Sequence, residues 1–171
     1  YGGEKSTSTK TNVQIEVLRA KFQERLNDAL QTFTSQPIIW VDPVLRNTNE
    51  ISQNADENYT KRIVVSEIIE NPESLAINAP PEFGLTCLAH YMVLQAWEKG
   101  DLWLYLDSHK TKSHNIHNAA IREIESLGYK ISDVKAIILD SWSSYELDSF
   151  KKLKNLSDSY KDIPIILMNT V

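Results

Sequence analysis

Residues 74–88 read SLAINAPPEFGLTCL. Leu75 to Asn78 is a short apolar run of β type, and the residues after it carry two prolines and a glycine. From Leu85 the apolar residues recur at helical spacing, so that Leu85, Leu88, Ala89, Met92, Val93, Ala96 and Trp97 share one stripe, with Gly100 placed to end the helix. A strand that enters a loop and passes directly into an amphipathic helix is the local architecture a phosphate-binding turn requires. The first amides of the helix have no acceptor within it, and its N-terminus carries partial positive charge.

The same alternation continues downstream. Leu102–Asp107, Ala136–Asp140 and Ile163–Met168 are nearly continuous in apolar residues, as strands covered on both faces should be. Helical patterns separate them, one over Asn115–Ser126 ended by Gly128 and one from Ser144 to about Tyr160. Strands alternating with helices predict an α/β fold with a parallel sheet and crossover helices. Upstream, Leu18, Phe22, Leu26, Ala29, Leu30 and Phe33 form one helical stripe that begins near Asn12 and is ended by Pro37. Ile38 to Val41 then read as an extended run before Asp42-Pro43. Residues 46–60, RNTNEISQNADENYT, hold four asparagines and little apolar content, which predicts a loop and the seam between subdomains. The expected organisation is a polar linker over 1–11, a helix, extended segment and loop over 12–60, and an α/β core over 61–171.

A chain of 171 residues with 42% apolar content suffices for one compact core. Its 23 acidic and 18 basic side chains are mixed along the sequence, so no basic stripe supports nucleic-acid binding. One cysteine, Cys87, cannot form an internal disulfide, and no signal peptide or apolar run of bilayer length is present. The reading is a cytoplasmic setting with no membrane partner.

Against the phosphate-loop pattern G-x-x-x-x-G-K-[ST], residues 79–86 give A-P-P-E-F-G-L-T. The second glycine, Gly84, and the hydroxyl residue, Thr86, are kept; Leu85 stands where the lysine should reach the outer phosphates. Losing that charge-assisted contact costs about 1.5–3 kcal/mol, or roughly ten- to a hundred-fold in affinity. Glu82 adds a negative charge inside the loop. The plainer alternative is a strand-loop-helix turn with one glycine and no ligand.

Three later segments fall in the order a P-loop core predicts. KAIILDSW, Lys135–Trp142, is an apolar strand ending in Asp140, as the magnesium-organising Walker B strand does. Leu102–Asp107 ends in another aspartate, and PIILMNT, Pro164–Thr170, ends in Asn169-Thr170, where a polar sensor of the outermost phosphate commonly sits. Ligands of open α/β sheets bind at the carboxyl ends of the strands, so these tips are expected to share one crevice. The expected nucleotide-binding set is Ala79, Pro80, Pro81, Glu82, Phe83, Gly84, Leu85 and Thr86 with Asp140 and Asn169. Thr86 and Asp140 would hold magnesium if ATP or ADP binds.

Over Ile63–Thr170 these four segments together resemble the STAND NTPases, the signal-transduction ATPases with numerous domains that include NACHT-type proteins. The family's Walker B segment continues from aspartate through a small and an apolar residue to two acids. Here Ile137–Ser144 reads I-I-L-D-S-W-S-S, with Ser143 and Ser144 in place of the acid pair. PIIWVDPVL, residues 37–45, is similar to the segment preceding the loop in some bacterial members. The resemblance implies a three-layer P-loop NTPase-like parallel sheet of order 2-3-4-1, with the sensor strand between the loop strand and the Walker B strand. A fifth strand, a helical lid and a winged-helix part would lie outside this chain. It further implies a larger signalling or prokaryotic defence protein, in which the module connects effector and sensor domains and its nucleotide state controls oligomerisation. With lysine and acid pair both absent, the expected function is a pseudo-NTPase regulatory or scaffold module with weak or absent nucleotide binding. Two alternatives remain open: a slow ATPase in which Lys110, Lys112 or Arg122 replaces the lysine, and a plain α/β protein-interaction domain.

His109, His114 and His117 have the spacing of metal ligands, but Lys110 and Lys112 among them favour a solvated loop. Cys87, in an apolar helix stretch, reads as a small buried residue. The tryptophans read as core, with Trp142 beside the expected site. Asp107 would either contact a cation or cap the strand exit.

Overall fold

Runs dense in leucine, isoleucine and valine set the core of the fold, which is described over residues 12–32, 42–46 and 62–171 of a computed structural model. In chain order the elements are α1 (Asn12–Gln31), β1 (Leu45–Arg46), β2 (Arg62–Ile63), α2 (Val65–Glu70), β3 (Leu75–Ala79) and α3 (Leu85–Glu98). They continue with β4 (Leu102–Asp107), α4 (Ile116–Ser126), β5 (Val134–Trp142), α5 (Ser149–Ser159) and β6 (Ile165–Thr170). Phe33, Pro37, the Ile38–Val41 run, Trp40 and most of the asparagine-rich stretch lie outside the described residues.

Four strands form one all-parallel sheet in the order β3-β6-β5-β4. That is the order 2-3-4-1 when these strands are counted along the chain, with β6 between β3 and β5. Ile137, Ile138 and Leu139 of β5 are fully buried, as an interior strand with helices on both faces requires. The chain crosses the whole sheet from β3 to β4 and then steps back through β5 to β6. Right-handed crossovers therefore place α3 on one face and α4 and α5 on the other.

Helix α1 lies along α3 through Leu18, Phe22, Leu26 and Ala29, its buried stripe. Phe22 meets Trp97 edge-on with ring centroids 5.8 Å apart, and the Trp97 indole N–H donates to the Ile15 carbonyl at 3.1 Å. Arg25 reaches across to α4, where its guanidinium is 2.7 Å from the Glu123 carboxylate. Among the described residues β1 and β2 pair antiparallel, Leu45 with Ile63 and Arg46 with Arg62, so Arg46 belongs to a strand and not to the predicted loop.

Two helices differ from the sequence reading. Helix α2 was not expected: it is six residues long, below the span over which periodicity is readable, and it is held by burial of Val65, Ile68 and Ile69. The helix expected from Ser144 begins at Ser149. Ser143 accepts the Tyr145 N–H on its hydroxyl and the Glu146 N–H on its carbonyl, and Ser149 N–H donates to the Glu146 carbonyl. Serine offering local hydrogen bonds converts the first five expected helical residues into turns.

Candidate functional site

Ala79 ends β3, and Pro80 and Pro81 can neither extend a ladder nor open a helix with a free amide. Glu82, with φ of 69°, and Gly84, with φ of 80°, both take the left-handed conformation, which bends the chain sharply into α3. Glycine at 84 removes the steric cost of that conformation at the helix entry; Glu82 bears it. The helix closes its first bond from Leu88 N–H to the Gly84 carbonyl at 2.9 Å. Its opening amides are left facing the loop.

The carboxyl end of β5 is bulged. Leu139 pairs with Leu167 and Trp142 with Asn169, so three steps on β5 oppose two on β6, and Ser141 takes up the difference at φ of 56°. A bulge of this kind re-aims the neighbouring side chain. Asp140, 1% exposed, accepts a 2.6 Å hydrogen bond from the Tyr105 hydroxyl of β4. The His90 ring of α3 stacks on Tyr105 at 4.1 Å and 27°. Burial and then the Asp140 charge hold the Tyr105 phenol far above its ordinary pKa, so it remains a donor. Burial lowers the His90 pKa, against a weaker opposing pull from Asp140.

The tips converge. A cavity of about 240 Å³ is lined by residues 80–86, by Asp140 and Ser141 of β5, by Thr170 of β6, and by Ala29 and Thr32 at the end of α1. Thr86 and Ala29 also line an adjoining cavity of about 500 Å³, with Arg25, Asp28, His90, Tyr105, Asp107 and Lys110 around it. The loop and Asp140 thus share a wall, as the sequence suggested. Asn169 is placed differently: its amide N–H donates to the Asn78 side chain at 2.9 Å, and Thr170 is the β6 residue on the cavity. Asp107 accepts the His109 amide at 2.9 Å and caps the turn that follows β4.

These residues do not fit a magnesium-bound triphosphate. Among the described residues, the smaller cavity offers hydroxyls and amides but is lined by two carboxylates, Glu82 and Asp140, and by no lysine or arginine. Leu85 occupies the lysine position, partly buried against the core. At about 240 Å³ the cavity lies under the range of roughly 300–1,000 Å³ in which small ligands are enclosed. Of the proposed replacement cations Lys110 lines the adjoining cavity, whereas Lys112 and Arg122 line neither.

The histidines separate. His109 is 3.3 Å from Glu146, and His117 is 3.0 Å from the Tyr160 hydroxyl. Among the described residues no group of three or more His, Cys, Asp or Glu side chains is placed to hold a metal. Cys87 is buried, and burial followed by the Asp140 charge raises its thiol pKa, the opposite of nucleophile activation. Trp97, Trp103 and Trp142 are core residues, and the Trp142 indole N–H donates to the Ser149 carbonyl at 2.9 Å.

The sequence reading places neither Tyr105 nor the α1 residues at the site, and it names Thr170 only beside Asn169 at the strand end and Ser141 only within the Walker B pattern. The period of two in β4 puts Tyr105 on the face of Asp107, a readable signal. No local pattern announces that α1 closes over the strand tips. Among the described residues no helix is long and apolar enough to cross a membrane. Compared with known proteins, the chain matches no family model and no curated protein.

Proposed function

We propose that residues 61–171 are a degenerate P-loop NTPase core of STAND type, acting in the cytoplasm as a regulatory or scaffold module of a larger signalling or defence protein. Its partners on this reading are the effector and sensor domains of the parent chain and further copies of itself. One observation carries the proposal: the loop of residues 80–86 and Asp140 meet in one cavity at the carboxyl end of a β3-β6-β5-β4 sheet, with no lysine or arginine on its wall among the described residues. Convergence at that end is what the open α/β plan provides for a ligand. The missing lysine and the two carboxylates weaken polyphosphate binding and remove charge stabilisation from phosphoryl transfer.

A slow ATPase is the second reading, favoured by Lys110, which lines the adjoining cavity together with Thr86. Phosphate release from ATP with magnesium separates the two. The proposal expects no turnover above the uncatalysed rate; turnover abolished by Lys110→Ala would replace it with the ATPase reading.

A further inference from the structure

The end of β5 raises a separate question, namely what balances Asp140. Its carboxylate is 1% exposed, and among the described residues no lysine or arginine forms an ion pair with it. An ionised carboxylate in such a place is costly unless donors or a cation satisfy it. The Tyr105 hydroxyl does so at 2.6 Å, within the range of charge-assisted O–H···O⁻ bonds. Tyr105 is itself held on two sides. Its strand runs in register with β5, Tyr105 opposite Ile138 and Asp107 opposite Asp140, and the His90 ring covers its face.

Magnesium needs near-octahedral oxygen ligands and keeps several of its waters, so a carboxylate that serves it must present an oxygen to an open, wet space. Asp140 lines the cavity, but its Oδ2 is taken by a phenol stacked against the His90 ring of α3, which leaves a single carboxylate oxygen for a cation. We infer that Tyr105 is a positioning residue that takes the place of a divalent cation, fixing Asp140 as a buried acceptor and making this core independent of metal. The inference rests on reading β5 as the strand that would organise magnesium in an intact core. Departure from that plan then has three parts: Leu85 at the lysine position, serines at the acid pair, and a hydroxyl at the metal position.

The test is divalent-ion binding by the full chain, using manganese alone and electron paramagnetic resonance, together with thermal melts in EDTA and in millimolar magnesium. Wild-type protein is expected to bind no stoichiometric manganese and to melt at the same temperature in both buffers. Tyr105→Phe should lower the melting temperature by about 3 °C or more and acquire a manganese site, which Asp140→Asn removes again. Stoichiometric manganese on the wild-type protein, lost in Asp140→Asn, would overturn the inference. So would a well-folded Tyr105→Phe protein that gains no site. The wild-type measurement with its Asp140→Asn control does not depend on Tyr105→Phe and judges the inference even if that variant fails to fold. Nucleotide is absent throughout, so tight ATP binding found separately would sink the proposed function while leaving these readouts to judge Tyr105.

Discussion

On the proposed reading, Leu85→Lys should supply the loop with a phosphate contact. Leu85 borders both the 240 Å³ cavity and an apolar cavity of about 700 Å³ behind the loop, so a lysine there has a wall for its stem and an opening for its ammonium. The methylene stem of lysine keeps much of the leucine's apolar contact, and the residue is only partly buried, so the stability loss should stay near 1 kcal/mol. A charge-assisted bond to phosphate is worth about 1.5–3 kcal/mol, which predicts roughly ten- to a hundred-fold tighter ADP binding. Fluorescence anisotropy with labelled ADP reads this directly, with Leu85→Met as the control for packing. Glu82 and Asp140 line the same space and compete for the new cation, so adding Glu82→Gln should tighten binding further. Equal affinities for Leu85→Lys and Leu85→Met would refute the reasoning, because a loop that addresses phosphate must respond to charge at that position.

Gly84→Ala should cost about 1–2 kcal/mol, all of it from the left-handed backbone, because a methyl group there meets no atom within 4 Å. A thermal melt checks this, and an unchanged melting temperature would show that the turn does not hold φ near 80°. His90 has a folded pKa below its unfolded value, so its contribution to stability is full above the unfolded pKa of about 6.5 and is lost as pH falls through that value toward the folded pKa. Melting temperature should therefore fall from pH 7 to pH 5, less steeply in His90→Gln; equal slopes would contradict the burial argument. Cys87 should resist thiol reagents at pH 8 until denaturant is added, since it is buried and its pKa is raised; prompt labelling would show an open α3 entry.

The sheet was legible because its strands are buried on both faces and so read as unbroken apolar runs. Leu102–Asp107 was expected with its observed bounds; β5 extends two residues beyond the Ala136–Asp140 run at each end, and β6 begins two residues later than the Ile163–Met168 run and ends two later, at Thr170. Helix α3 showed its stripe from Leu85 to Trp97 because α1 and the sheet bury that stripe and its flanks. The start of α5 was missed because Ser143 and Ser144 do not disfavour helix strongly enough to show in a periodicity. At the site, the loop and Asp140 were readable as motif positions with a known direction along a strand. Tyr105 was readable only as a residue on the face of Asp107, whereas its bond to Asp140 and the place of Arg25 depend on strand register, a bulge and the path of α1, none of which a local pattern encodes.

Nucleotide binding is tested most directly by an equilibrium titration of labelled ATP and ADP onto the wild-type chain, with magnesium and with EDTA. The account expects dissociation constants weaker than about 0.1 mM, or no binding, and no difference between the two buffers. Micromolar binding that requires magnesium would contradict it, showing that a cation and a phosphate share this cavity despite Leu85 and Tyr105.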